Sequence, residues 1–194
     1  MSYHHGNLRE VLLEKAVEVI QEDGIGGLSL RDVARRAGVS HGAPAHHFTD
    51  KVGLLTALAT RSMEQFGATL SEASGEAGGS ALDRLRAIGR AYVRFAAQNP
   101  AHFGIVTRFE LIRGGDAEFA ASYQATFDLV KDAVCAAQGE GWRRSMDPMA
   151  LVITCWSAVH GLSTLYLDGV LEDRVGPIDL ETAAAQVMAV VISG

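Results

Sequence analysis

Residues 29–48 read Ser29-Leu30-Arg31-Asp32-Val33-Ala34-Arg35-Arg36-Ala37-Gly38-Val39-Ser40-His41-Gly42-Ala43-Pro44-Ala45-His46-His47-Phe48. Ser29 and Asp32 have the spacing of a capping box, in which hydroxyl and carboxylate satisfy the unpaired backbone donors of a helix start. Leu28 and Val33 stand where a hydrophobic staple closes that start. The pattern predicts a helix over 30–37 that stops at Gly38, then a short helix capped by Ser40 and running to about His47. Val33, Ala34, Ala37 and Val39 are small or apolar, as a tight corner requires. Helix, sharp turn and short helix together read as a helix-turn-helix. In that motif the first helix holds the second in the major groove, where base edges present distinct donor and acceptor patterns.

Working outward, every segment has helical spacing and none alternates with a period of two. Asn7 and Glu10 begin a first helix whose stripe is Leu8, Val11, Leu12, Ala16, Val19 and Ile20, ending at Gly24. Thr49-Asp50 caps a fourth helix from Lys51 to about Ala73, and the turn-rich stretch 74–79 marks a soft break. Ser80 and Asp83 open a fifth helix with the face Leu82, Leu85, Ile88, Tyr92, Phe95 and Ala96. Asn99-Pro100 starts a sixth running to about Arg113, and a seventh follows Gly114-Gly115 to about Gln138. Asp147-Pro148 opens an eighth to about Leu167, and Pro177 and Asp179 a ninth to about Ser193. The expectation is an all-α protein of about nine helices. Residues 1–50 form the helix-turn-helix domain and 51–194 a helical body, with helix four (51–73) joining them.

A chain of 194 residues, 48% hydrophobic, can bury a substantial core. Its formal net charge of −6 excludes a globally basic nucleic-acid coater. The charge is uneven: residues 1–61 carry seven basic and seven acidic groups and five of the seven histidines, so an anionic partner belongs there. Cys135 and Cys155 lack metal-ligand spacing and read as small apolar groups in a reducing compartment. His46 and His47 are adjacent, so they point about 100° apart on a helix and do not chelate together. No nucleophile–base–orienter set and no phosphate-cradling glycine loop is present, so no catalytic residue, metal or cofactor is expected. The N-terminus has no apolar leader core, and Met149–Leu167 is interrupted by Thr154, Ser157, His160, Ser163 and Thr164. It reads as a buried helix rather than a bilayer span, and the protein as cytoplasmic.

The combined pattern over residues 7–61 resembles the TetR family of repressors: Ser29-Leu30-Arg31-Asp32-Val33-Ala34, Ala37-Gly38-Val39-Ser40, and His46-His47-Phe48-x-x-Lys51-x-x-Leu54-Leu55. Tyr3-His4-His5-Gly6-Asn7-Leu8-Arg9 and Trp156-x-x-x-His160-Gly161 are similar to a subgroup with a Trp-His-Gly element in its C-terminal domain. The resemblance implies that Ser29 and Arg31 approach phosphates at the start of the first motif helix. His41, Gly42, Ala43 and His46 then face bases, Ser40 belongs to the same DNA-contacting set, and His47 and Lys51 contact phosphates. One departure is clear: the family places an aromatic where this chain has Ala45, and Pro44 precedes it. Pro44 removes a backbone donor in a very short helix.

In the body, Tyr92, Phe95, Phe103, Phe109, Tyr123, Phe127 and Trp156, with His160, fit either a ligand pocket between helices or ordinary core. The resemblance favours a pocket, for a largely apolar small molecule. Helix eight is apolar nearly all round and helix nine carries a broad apolar side, more surface than one chain covers. Val159, Leu162, Tyr166, Ala184, Val187 and Val191 are the expected face of a homodimer. Arg86, Arg90 and Arg94 repeat at four-residue steps and require acidic partners, expected on helix one, or an anionic ligand. These features predict a ligand-responsive repressor of a near-palindromic operator. The alternatives are an activator built from the same parts, a helical binding protein without DNA affinity, and a small helical enzyme using His160.

Overall fold

The computed structural model describes residues 8–193. Asn7, the expected cap of the first helix, and Tyr3 to Gly6 of the N-terminal motif lie outside them. Within the described residues the chain is helical, without strands. The helices are α1 (Leu8–Gly27), α2 (Leu30–Arg36), α3 (Ala43–Phe48), α4 (Lys51–Glu76) and α5 (Ala81–Gln98). They continue as α6 (Pro100–Val106), α7 (Ala117–Gly139), α8 (Pro148–Leu167), α9 (Val170–Val175) and α10 (Leu180–Ser193), with a 3₁₀ turn at Phe109–Leu111 between α6 and α7.

Two compact units emerge. The first holds the described residues through Met63 together with Ala101–Ala121. The second holds Glu64–Pro100 and the chain from Ser122 onward. In the first, α1 buries Leu12, Leu13, Ala16, Val19 and Ile20, packs on α2 and α3, and is broken at Gly24, whose φ is 72°. In the second, α5, α8 and α10 pack on one another. The core face of α5 runs through Leu85, Ile88, Tyr92, Phe95 and Ala96, all buried.

Local signals mostly place the helix ends. Ser80 and Asp83 form a complete capping box, and Asp147 caps α8 through the Met149 amide. Four expectations need correction. There are ten described helices rather than nine, because six residues between Gly169 (φ 71°) and Gly176 (φ 81°) form α9; a helix that short shows no periodicity. α6 ends at Val106 instead of Arg113, where the Thr107 hydroxyl donates to the Phe103 carbonyl at 3.0 Å and closes the last turn. α4 runs through Ser74 and Gly75 to Glu76 and stops only before Gly78 and Gly79, both at positive φ. One glycine inside a long helix costs only about 1 kcal/mol. Finally, Ser40 does not cap α3. Gly42 holds that position without a side-chain bond, while the Ser40 carbonyl accepts from the Ala43 amide at 3.0 Å.

Candidate nucleic-acid interface and apolar cleft

The α2–α3 corner is built from local rules. The Ser29 hydroxyl accepts from the Asp32 amide at 3.1 Å and donates to the Asp32 carboxylate at 3.0 Å. Gly38 takes a left-handed φ of 68°. Its amide reaches the Arg35 carbonyl at 3.2 Å and the Val39 amide the Ala34 carbonyl at 3.1 Å. That is the two-bond helix stop that favours glycine. Pro44 enters α3 within its first two residues, where the missing N–H has no intrahelical acceptor to lose. Pro44 and Phe48, four apart, are buried and form the inner side of α3. His41, Gly42, Ala45, His46 and His47 are exposed and Ala43 is half-buried. Gly53 is required where α4 starts: a Cβ there would stand 1.9 Å from the Phe48 carbonyl oxygen.

Charge pairing then leaves the motif available to an anion. Arg36 is held by Glu22 at 2.7 Å and Asp23 at 3.6 Å, and Arg61 by Glu10 and Glu14 at 3.3 and 3.7 Å. Four of the five α1 acids are therefore taken by these arginines, and the fifth, Glu18, pairs with Lys15 at 2.7 Å. Arg86 pairs instead with Asp83, and Arg94 with Glu181, which corrects the expectation that both faced helix one. The acids flanking the motif are also paired. Asp32 lies below the usual carboxylate range because of the Ser29 hydroxyl and then Arg35. Asp50 caps the Gly53 amide at 2.7 Å and takes the Arg113 guanidinium on both oxygens at 3.1 Å. Arg31 is exposed, with no ion pair among the described residues, and Lys51 donates to the Gly26 carbonyl at 3.2 Å.

In the same unit the segment 101–121 grips α4. The buried Ser62 hydroxyl meets His102 Nδ1 at 2.8 Å, and the Thr56 hydroxyl accepts from the Arg113 amide at 2.8 Å. Burial, and then the charge of Arg61, hold His102 below the ordinary imidazole value.

The second unit contains a small apolar cleft. Leu85, Ile88, Gly89 and Tyr92 of α5 line it, with Val130 of α7, Cys155, Trp156 and Val159 of α8, and Met188 of α10. It has about 30 Å³ of room for the centres of water-sized molecules, far below the roughly 300–1,000 Å³ of an open ligand site. The Trp156 indole N–H donates to the Tyr92 oxygen at 3.3 Å, and that hydroxyl pairs with His160 Nδ1 at 2.9 Å. Burial raises the Tyr92 phenol and lowers His160, so both are neutral near pH 7. Phe66 meets Tyr92 edge-on at 4.9 Å and Phe95 at 5.0 Å.

Of the residues named as pocket candidates, Tyr92 and Trp156 line this cleft and His160 joins it through Tyr92. Phe95 is buried behind it on Phe66, Phe127 meets Trp156 edge-on at 6.5 Å, and Tyr123 is half-buried. Phe103 and Phe109 belong to the first unit, Phe103 buried and Phe109 exposed beside Phe119. Sequence reasoning did not single out Phe66, Gly89, Val130, Cys155 or Met188 for the pocket, and no local signal marks them. Of the residues named for a dimer face, Val159, Leu162 and Ala184 are buried within the chain; Tyr166, Val187 and Val191 are half-buried. The same helices expose Met149, Ile153, Leu165 and Val190. By length and composition alone α8, with a mean hydropathy of 1.4, could cross a membrane.

Residues 12–58 match the family described as bacterial regulatory proteins, tetR family, and residues 85–191 match the tetracyclin repressor-like C-terminal domain. A solved protein of unknown function from Rhodococcus sp. RHA1 is 35% identical, with a TM-score of 0.85 over 100% of both chains. A structure assigned to the TetR family from Rhodococcus sp. is 28% identical, with a TM-score of 0.72 over 96% of this chain and 99% of that one. The HTH-type transcriptional regulator BetI of Stenotrophomonas maltophilia is 34% identical over 80 residues, 41% of this chain and 41% of that protein. The match thus spans about two fifths of the length of that curated relative. With family matches over both the helix-turn-helix and more than half of the chain, this protein belongs to the TetR family of DNA-binding transcriptional regulators.

Proposed function

We propose that this protein is a repressor that grips a near-palindromic operator as a homodimer and releases it when a small apolar molecule enters the helical body. The observation that carries this reading is the exposed α3 with its flanking acids paired from within: Asp32 with Ser29 and Arg35, Asp50 with Arg113. An anionic duplex meets Arg31, Lys51 and three histidines, with the neighbouring carboxylates Asp32 and Asp50 already ion-paired. Arg31, His47, Lys51 and the Ser29 end of α2 serve the phosphates; Ser40, His41, Gly42, Ala43 and His46 serve the base edges. A dimer sets its two α3 helices roughly 34–36 Å apart, one turn of DNA. Residues 1–50 do the reading and 51–194 the sensing.

The dimer face is assigned to α8 and α10. Tyr166, Val187 and Val191 contribute from its edges, and the exposed Met149, Ile153, Leu165 and Val190 extend it. Trp156, His160 and Gly161 support assigning the chain to the Trp-His-Gly subgroup. Release needs only a ligand that binds better when the reading helices are wrongly spaced. The chain passes between the two units inside α4, at Pro100 and inside α7, which gives that signal three covalent routes. The work is done in the cytoplasm and without catalysis.

A gel shift against the DNA flanking its own gene tests this. Wild type retards a discrete fragment at micromolar concentration or below, and Arg31→Ala weakens that binding about tenfold at fixed salt and lowers the salt slope by about one. A monomeric protein that ignores every such fragment would end the reading.

A further inference from the structure

We propose that the cleft between α5, α7, α8 and α10 admits an uncharged, hydrocarbon-rich molecule about one ring in size, which enters by moving Met188 off Gly89; this rests on the effector reading above. A Cβ built on Gly89 would stand 2.3 Å from Met188 Sδ and 2.8 Å from its Cγ and Cε. The methionine therefore lies directly on bare α5 backbone, in the space an ordinary side chain would fill. Methionine is unbranched and re-packs easily, so it is the part of this wall that yields. The cleft is small as it stands, so the space that one such side chain vacates sets the size of what can enter.

The lining sets the charge. No acidic or basic side chain is among the nine lining residues. The polar groups that do border the cleft are engaged with one another: Trp156 donates to Tyr92, and the Tyr92 hydroxyl is paired with His160. Burial pushes the Cys155 thiol up to about 11, so it too is uncharged at neutral pH. A carboxylate or phosphate entering here gives up its hydration with no cation to meet it, and an unpaired ion in an apolar site is heavily disfavoured. A ring without charge loses nothing of that kind and gains from leaving water.

Ethylbenzene and benzoate, one ring without and with a charge, separate the possibilities in calorimetric titrations of the full-length protein. Ethylbenzene should bind wild type. Met188→Ala should tighten it about tenfold, the worth of one or two more buried methylenes. Val130→Phe should abolish it by filling the cleft, and benzoate should bind none of the three. Circular dichroism checks that each variant folds, and Leu85→Phe replaces Val130→Phe if that one does not. Benzoate binding as tightly as ethylbenzene would overturn the proposal, as would an ethylbenzene affinity that neither enlarging nor filling the cleft alters. Should ethylbenzene bind as described while the retarded DNA fragment stays bound, the cleft chemistry stands and the release mechanism fails.

Discussion

Each unit sets one half-buried histidine against a hydroxyl, and the two settings differ. In the first, Ser62 and His102 meet at 2.8 Å and join α4 to α6, in the same unit as the reading helix. In the second, Tyr92 and His160 meet at 2.9 Å beside an apolar cleft, with Trp156 as a third member. The first unit directs its remaining polarity outward: Arg31, His41, His46 and His47 are exposed. The second directs its polarity into itself, so that the cleft wall is hydrocarbon. A surface meant for phosphate keeps donors available, whereas a chamber meant for an apolar molecule must satisfy them internally.

The strongest way to break the first unit is through its inner side. Phe48 is 4% exposed and anchors a helix of only six residues. Phe48→Ala should cost about 3–5 kcal/mol of unfolding free energy, read from urea denaturation, and should abolish operator binding. A variant that keeps wild-type DNA affinity would show that α3 is positioned by something other than this ring.

A smaller effect compares the two half-buried imidazoles. Both are held below the ordinary imidazole value, His102 by burial and then Arg61, His160 by burial. The unfolded chain therefore binds more protons as the solution acidifies, and stability falls with falling pH. The contribution is complete above the unfolded imidazole value of about 6.5 and drains away as pH drops below it toward the folded values. Melting temperatures across pH 5–8 should show this decline, and His102→Asn and His160→Asn should each flatten part of it. Equal slopes in wild type and both variants would place the titrating groups elsewhere.

The same contrast explains what could be read in the sequence. The Ser29 and Ser80 caps, the Gly38 stop, and the prolines opening α6 and α8 act within four residues of themselves, so the sequence displays them whole. The cleft does not work that way. Gly89 matters because Met188, 99 positions on, lies across it, and no periodicity records that pairing. Phe103 and Phe109 looked equivalent to Phe95 in composition yet fold into the other unit. On α8, apolar nearly all round, periodicity cannot tell inside from outside: Val159 and Leu162 are buried, Ile153 and Leu165 exposed. Arg86 and Arg94 of α5 pair with Asp83 and Glu181, while the acids of α1 pair with Arg36, Arg61 and Lys15.

The finest contrast is between two exposed ion pairs, one in each unit. Arg94 joins α5 to Glu181 of α10 at 2.6 Å; Arg113 joins the 101–121 segment to Asp50 at 3.1 Å. Both pairs are about half exposed, so each should contribute only about 0.2–1 kcal/mol to stability, and less in high salt. Arg94→Ala should therefore shift the melting temperature slightly and leave operator affinity unchanged. Arg113→Ala should shift melting just as little, yet weaken DNA binding severalfold at low salt, because it bares the Asp50 carboxylate two residues beyond α3. Asp50 also caps the Gly53 amide, so the informative rescue is Asp50→Asn in the Arg113→Ala background. It keeps an oxygen acceptor for the cap and removes the charge. Recovered DNA affinity in that double variant would assign Arg113 to silencing the acid beside the reading helix. Affinity that stays low would mean that the guanidinium acts by holding α4 in place.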